Sequence, residues 1–134
     1  MKLIKKIGLA VFKDGKVIMV RSSNQKEVFY SLGGKIKEGE TDLDCLKREV
    51  WEEVSCKIDE ESLKYLGELK DVAHGRGEAI LHLKLYSGNL SGEPKPSSEV
   101  VEIGYFDTNT DPKHLSIFAQ RTLFPYLKKL RFIN

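Results

Sequence analysis

The chain has 134 residues, with 22 Lys or Arg against 20 Asp or Glu, a formal net charge of +2. That balance excludes the strong overall field that would hold a nucleic-acid polymer or a membrane surface. A hydrophobic share of 40% and a charged share of 31% describe a soluble globular protein, expected to form a single domain over 1–134 that buries roughly two thirds of its unfolded surface.

Cys45 and Cys56 are too few for a disulfide framework, so a reduced, cytoplasmic chain is expected. The apolar run from Ile7 to Phe12 ends at Lys13-Asp14-Gly15, too short for a secretory core or a membrane span.

Ile7 to Phe12 and Val17 to Arg21 are β-type runs flanking a Lys-Asp-Gly-Lys turn, which predicts that the two pair as a hairpin. Ser22 to Glu27 is polar and reads as loop, and Phe29 to Leu32 is a short apolar stretch running into Gly33-Gly34. From Thr41 the period changes. Leu43, Leu46, Val50 and Val54 follow helical spacing, with Thr41 as N-cap and Asp44 completing a capping box.

Leu63 to Leu69 and Ala79 to Ser87 read as strands, separated by the turn His74-Gly75-Arg76-Gly77. Gly88 to Ser98 reads as a loop and Val100 to Phe106 as a strand. Leu115 to Leu130 is helical in pattern, with Pro125 expected to break or kink it near Phe124. Phe118, Leu123, Tyr126, Leu127 and Leu130 would form its docking face. The order predicts an α+β fold with a mixed β-sheet and helices against it.

The chemistry concentrates between Gly34 and Cys56, GKIKEGETDLDCLKREVWEEVSC. Glu49, Glu52 and Glu53 project from one helix face within an arc of about 100°, beside the apolar stripe. Like charges at this spacing repel. A divalent cation would relieve them, and an all-oxygen donor set favours Mg²⁺ or Mn²⁺. Taken alone, such a triplet is more often a solvated helix face, and the wider segment is what points to a metal site.

The wider segment resembles the Nudix box, G-x5-E-x7-R-E-U-x-E-E-x-G-U with U a bulky apolar residue. Gly34, Glu40, Arg48, Glu49, Val50, Glu52, Glu53 and Cys56 fall at its constrained positions, and Ser55 in place of glycine is the departure inside it. Leu32 stands where proline is frequent in the family.

The resemblance implies an α/β/α sandwich and hydrolysis of a nucleoside diphosphate linked to a group X. It implies Glu49, Glu52 and Glu53 as metal ligands together with the carbonyl of Gly33. Glu40 would be an accessory acid, and Arg48 would orient the carboxylates. Glu49 or Glu52 would stand closest to the attacking water, unless a later loop supplies the base through Glu99 or Glu102.

Among substrates, GGKIKEGE is similar to the segment of mutator-type nucleoside triphosphate pyrophosphohydrolases, which act on oxidised nucleotides among others. ADP-ribose or a nucleotide sugar is the alternative, although Lys70 to Ala73 lacks the proline frequent in ADP-ribose hydrolases. A non-catalytic nucleotide-binding module is the third reading. Arg21 and Lys35 are candidates to meet a phosphate and Phe29 or Tyr30 to stack on a base. His74 and Arg76 could close over a ligand or form an ordinary turn. Trp51 is expected to pack, and Cys45 to be a small helix residue and not a nucleophile. The partner is a small nucleotide, with neither nucleic-acid polymer nor membrane expected, and the chain a monomer or homodimer.

Overall fold

The computed structural model describes residues 2–75 and 77–134. Strand β1 (Leu3–Ala10) lies inside a mixed sheet. It runs antiparallel to β5 (Gly33–Lys35) and parallel to β7 (Ile80–Ser91), with β6 (Lys57–Val72) antiparallel to β7 at the edge. In a second sheet β3 (Lys16–Ser22) pairs antiparallel with β2 (Phe12–Lys13), β4 (Tyr30–Ser31) and β8 (Val100–Phe106).

The chain passes between the sheets at Val11 and at Leu32. The Val11 carbonyl accepts from Ile18 N–H and the Leu32 carbonyl from Leu9 N–H, each at 2.9 Å. This corrects the expected hairpin. Around Asp14 and Gly15, whose φ values are 53° and 73°, only Phe12–Lys13 pairs with β3. The rest of the run is buried on both faces and so belongs to the interior of the larger sheet: Ile7 and Leu9 face one core, Ala10 the other.

Helix α1 (Asp42–Val54) begins with the expected capping box. Asp44 N–H donates to Thr41 Oγ1 and Thr41 N–H to Asp44 Oδ2, both at 3.1 Å. It docks Cys45, Leu46, Val50 and Val54 on Ile7, Leu9, Ile18 and Val20. Leu46, Val50 and Val54 are buried as expected, Cys45 joins them fully buried, and Leu43 is only half-buried. Ser55 ends the helix in the left-handed conformation, φ 54°.

On the opposite side Leu83 and Leu85 pack against Phe118, Leu123, Phe124 and Leu127. Helices therefore cover both sides of the sheets, the α+β sandwich that was expected.

Pro125 does not stop the last helix. A π turn over Ala119–Leu123 lets Phe124 N–H donate to the Ala119 carbonyl, and Pro125 falls in the first turn of α2 (Phe124–Lys129). There a missing N–H costs little. Leu130 lies past the end of α2 and is 41% exposed, which removes it from the docking face. β6 is far longer than Leu63 to Leu69, and register shifts between Asp59 and Lys64 and between Tyr65 and Gly67 break the alternation that would have marked its full length. β7 likewise runs on through Gly88 to Ser91, shortening the expected loop. Among the described residues no helix is long and apolar enough to cross a membrane.

Candidate active site

Two glycines let the acidic edge of α1 approach the sheet. Gly33 has φ 136°, and a Cβ there would lie 2.1 Å from the Ile7 carbonyl oxygen, so no other residue fits. Its N–H donates to Glu53 Oε1 at 2.9 Å. A Cβ on Gly34 would lie 2.4 Å from the Glu49 Cδ. The glycine pair thus gives up side chains so that two carboxylates can lie against β5.

Arg48 gathers the remaining acids. Its Nε and Nη2 donate to Glu40 at 2.7 and 2.9 Å, and its Nη1 donates to Glu49 Oε1 at 2.6 Å and stands 3.5 Å from Glu52 Oε2. Nη2 also donates to the Lys35 carbonyl at 3.0 Å. Glu40 additionally accepts Lys37 N–H at 2.7 Å. The Arg48 hydrogen bonds, with that backbone N–H, hold the Glu40 carboxyl down at about 2.

Glu53 has the opposite environment. Burial pushes its carboxyl up to about 8 despite the Gly33 N–H, and burial also raises Glu49 despite Arg48. Burial pushes the Cys45 thiol up to about 11, so it stays protonated at neutral pH and is no nucleophile.

This arrangement fits a hard divalent cation. The donors are all oxygen, and burial disfavours the ionised forms of Glu49 and Glu53, which a bound cation would restore. Among the described residues no three His, Cys, Asp or Glu side chains converge into a ready-made cage; Arg48 draws Glu40 and Glu49 to itself instead.

Two cavities adjoin this edge. An apolar recess is lined by Ile4, Leu81, Leu83, Ala73, His74 and Phe118, and a polar channel by Ser22, Asn24, Glu53 and Glu99. Lys6, Gln25, Tyr30, Ser31 and Gly33 line both.

The structure brings Glu40, Arg48, Glu49 and Glu52 into one network and sets Glu53 against Gly33 beside it. It does not bring the expected substrate contacts there. Arg21 lines neither cavity, because it lies opposite Glu102 across β3 and β8 and pairs with it at 2.8 Å. Phe29 is a correction of the same kind. It is 7% exposed and packs edge-on against Phe106 in the core, so it offers no face to a base. Lys35 is exposed and contributes its carbonyl to Arg48.

Of the later-loop acids, Glu99 lines the channel and Glu102 is tied to Arg21. Trp51 is 57% exposed and does not pack as expected. His74 accepts Ile117 N–H at 3.0 Å through Nδ1, and Arg76 lies outside the described residues. Sequence reasoning missed Lys6. Strand alternation with Ile4 and Gly8 was the available signal, since it turns this lysine inward.

Residues 3–122 match the family model described as NUDIX domain. The chain belongs to the Nudix family. No curated protein matches it in sequence. Solved structures that resemble it include a MutT NUDIX hydrolase from Burkholderia pseudomallei, with 20% identity, 97% of this chain and 99% of that one covered, and a TM-score of 0.73. A MutT protein from Methanosarcina mazei shares 17% identity over 96% and 92% at a TM-score of 0.69. An ADP-ribose pyrophosphatase from Streptococcus suis shares 20% over 96% and 92% at 0.61. At these identities the likeness is one of Nudix fold.

Proposed function

We propose that this Nudix protein is a Mg²⁺-dependent pyrophosphohydrolase of nucleotides, acting on a nucleoside triphosphate or its oxidised form to release the monophosphate and pyrophosphate. The observation that carries the reading is the glycine-paired acid edge: Glu53 on the Gly33 N–H, Glu49 over Gly34, and Arg48 joining Glu49 to Glu40. A purely nucleotide-binding module has no use for a complete set of such acids.

Glu49, Glu52 and Glu53, with the Gly33 carbonyl, would hold the metal. When bound, the cation neutralises phosphoryl charge and lowers the pKa of water. The chain's own groups do the rest. Arg48 fixes Glu40 and Glu49 in place, Glu49, Glu52 or the channel-lining Glu99 receives the water proton, and the apolar recess takes the base.

The experiment is a phosphate-release screen with a coupling pyrophosphatase or phosphatase. It covers nucleoside triphosphates, their oxidised forms, ADP-ribose, nucleotide sugars and dinucleoside polyphosphates, with Mg²⁺ and with Mn²⁺. Cleavage of triphosphates that disappears in Glu52→Gln supports the reading. Cleavage of ADP-ribose alone, the reading favoured by the likeness to the Streptococcus suis protein, replaces the substrate and keeps the reaction class. Nucleotide binding without turnover overturns the reading.

A further inference from the structure

The apolar recess and the polar channel meet at a lysine. Lys6 lies on β1, which has hydrogen-bonded neighbours on both sides, and its register partner in β7 is Leu83. Leu83 and Ile4, two residues before Lys6, both line the recess. Lys6 is half-buried and lines both cavities. Its charge already reaches Glu49 and Glu53, on which it acts in the direction opposite to burial.

The other residues shared by the two cavities, Gln25, Tyr30, Ser31 and Gly33, are uncharged at neutral pH. An extended ligand whose apolar end fills the recess and whose anionic end runs toward Glu53 and Glu99 must cross this junction. On the acidic side its oxygens would meet the cation that Glu49, Glu52 and Glu53 are proposed to hold. At the junction they meet the ammonium.

We propose that Lys6 binds the phosphoryl group directly attached to the organic part of the ligand, so that the site takes phosphorylated organic groups and discriminates against bare polyphosphate. This assignment rests on the hydrolase reading above. A lysine suits the position because its compact charge and three rotatable donors can follow non-bridging oxygens without demanding a planar partner.

Equilibrium binding of AMP, GMP, adenosine, guanosine and inorganic pyrophosphate tests it, using wild type, Lys6→Met and Lys6→Arg, each checked for folding by its thermal melt. Wild type is expected to bind a monophosphate about 10-fold or more tighter than its nucleoside. Lys6→Met should lose that preference while keeping nucleoside affinity. Lys6→Arg should keep most of it, and pyrophosphate binding should stay unchanged in both variants.

A Lys6→Met protein that retains the monophosphate preference overturns the assignment. So does one that loses nucleoside or pyrophosphate affinity by the same factor, since the lysine then supports the fold or the far end of the phosphate chain. Failure of the hydrolase reading is distinguishable. In that case wild type turns over none of the nucleotides in the phosphate-release screen, whereas a failed Lys6 assignment leaves turnover intact and the monophosphate preference unmoved in Lys6→Met.

Discussion

Arg48 clasps Glu40 through two hydrogen bonds, Nε to Oε2 at 2.7 Å and Nη2 to Oε1 at 2.9 Å, tying α1 to the loop that precedes it. The same guanidinium holds Glu49. A lysine has no planar fork with which to clasp Glu40 bidentately while also holding Glu49. Arg48→Lys is therefore expected to lower kcat by about 10-fold or more, at about 1.4 kcal/mol of transition-state stabilisation per factor of ten. KM should change far less. Steady-state kinetics check this, and an unchanged kcat would show that the clasp is not needed to place Glu49.

The two glycines fail differently when given a side chain. In Gly34→Ala the new Cβ meets the end of the Glu49 side chain, which can swing away. The expected result is a near-normal melting temperature with a higher Mg²⁺ concentration needed for activity. In Gly33→Ala the Cβ meets the Ile7 backbone and the φ of 136° is itself strained, so a loss of about 3 kcal/mol or more is expected. Chemical denaturation of the two variants side by side separates the cases.

Glu53 sets a pH dependence. Its carboxyl stands near 8 against an ordinary 4.5, so the folded state binds this proton more tightly than the unfolded one does. In the metal-free protein its contribution is present below 4.5 and is lost as pH rises toward 8. Glu40, held at about 2, has the opposite sign, and its contribution is lost as pH falls below 4.5 toward 2. Glu53→Gln keeps a carbonyl for the Gly33 N–H and removes the charge. Its stability relative to wild type should rise between about pH 5 and about pH 8.5. Thermal melts in chelator check the slope, and a constant difference across that range would contradict it.

Ser55 ends α1 with φ 54°, a conformation that costs a side-chain residue about 1 kcal/mol more than glycine. Ser55→Gly is accordingly expected to raise stability by about 1 kcal/mol and to leave activity unchanged. Urea denaturation with a parallel rate assay measures both.

Local signals were legible in the sequence where one element carries them. The capping box at Thr41 and the acidic edge from Glu49 to Glu53 each depend on a few neighbouring residues. What depended on distant pairing was not legible. The run from Ile7 to Phe12 looks like one strand, and only the parallel partner β7 decides that it divides between two sheets. Arg21 and Phe29 have the right residue types for a ligand contact, but Glu102 and Phe106, far along the chain, claim them. Lys6 reads as one of several N-terminal lysines because the strand is read as starting only at Ile7, whereas β1 begins at Leu3.

The most direct test of the account is the initial rate of pyrophosphate release from a nucleoside triphosphate as Mg²⁺ is titrated into chelator-treated protein, for wild type and Glu53→Gln. No turnover is expected without metal, and saturable activation is expected in wild type. In Glu53→Gln the expected rate is lower by several powers of ten, because a metal-site charge is removed. A wild-type rate indifferent to Mg²⁺, or a Glu53→Gln variant that keeps the wild-type rate, would contradict it.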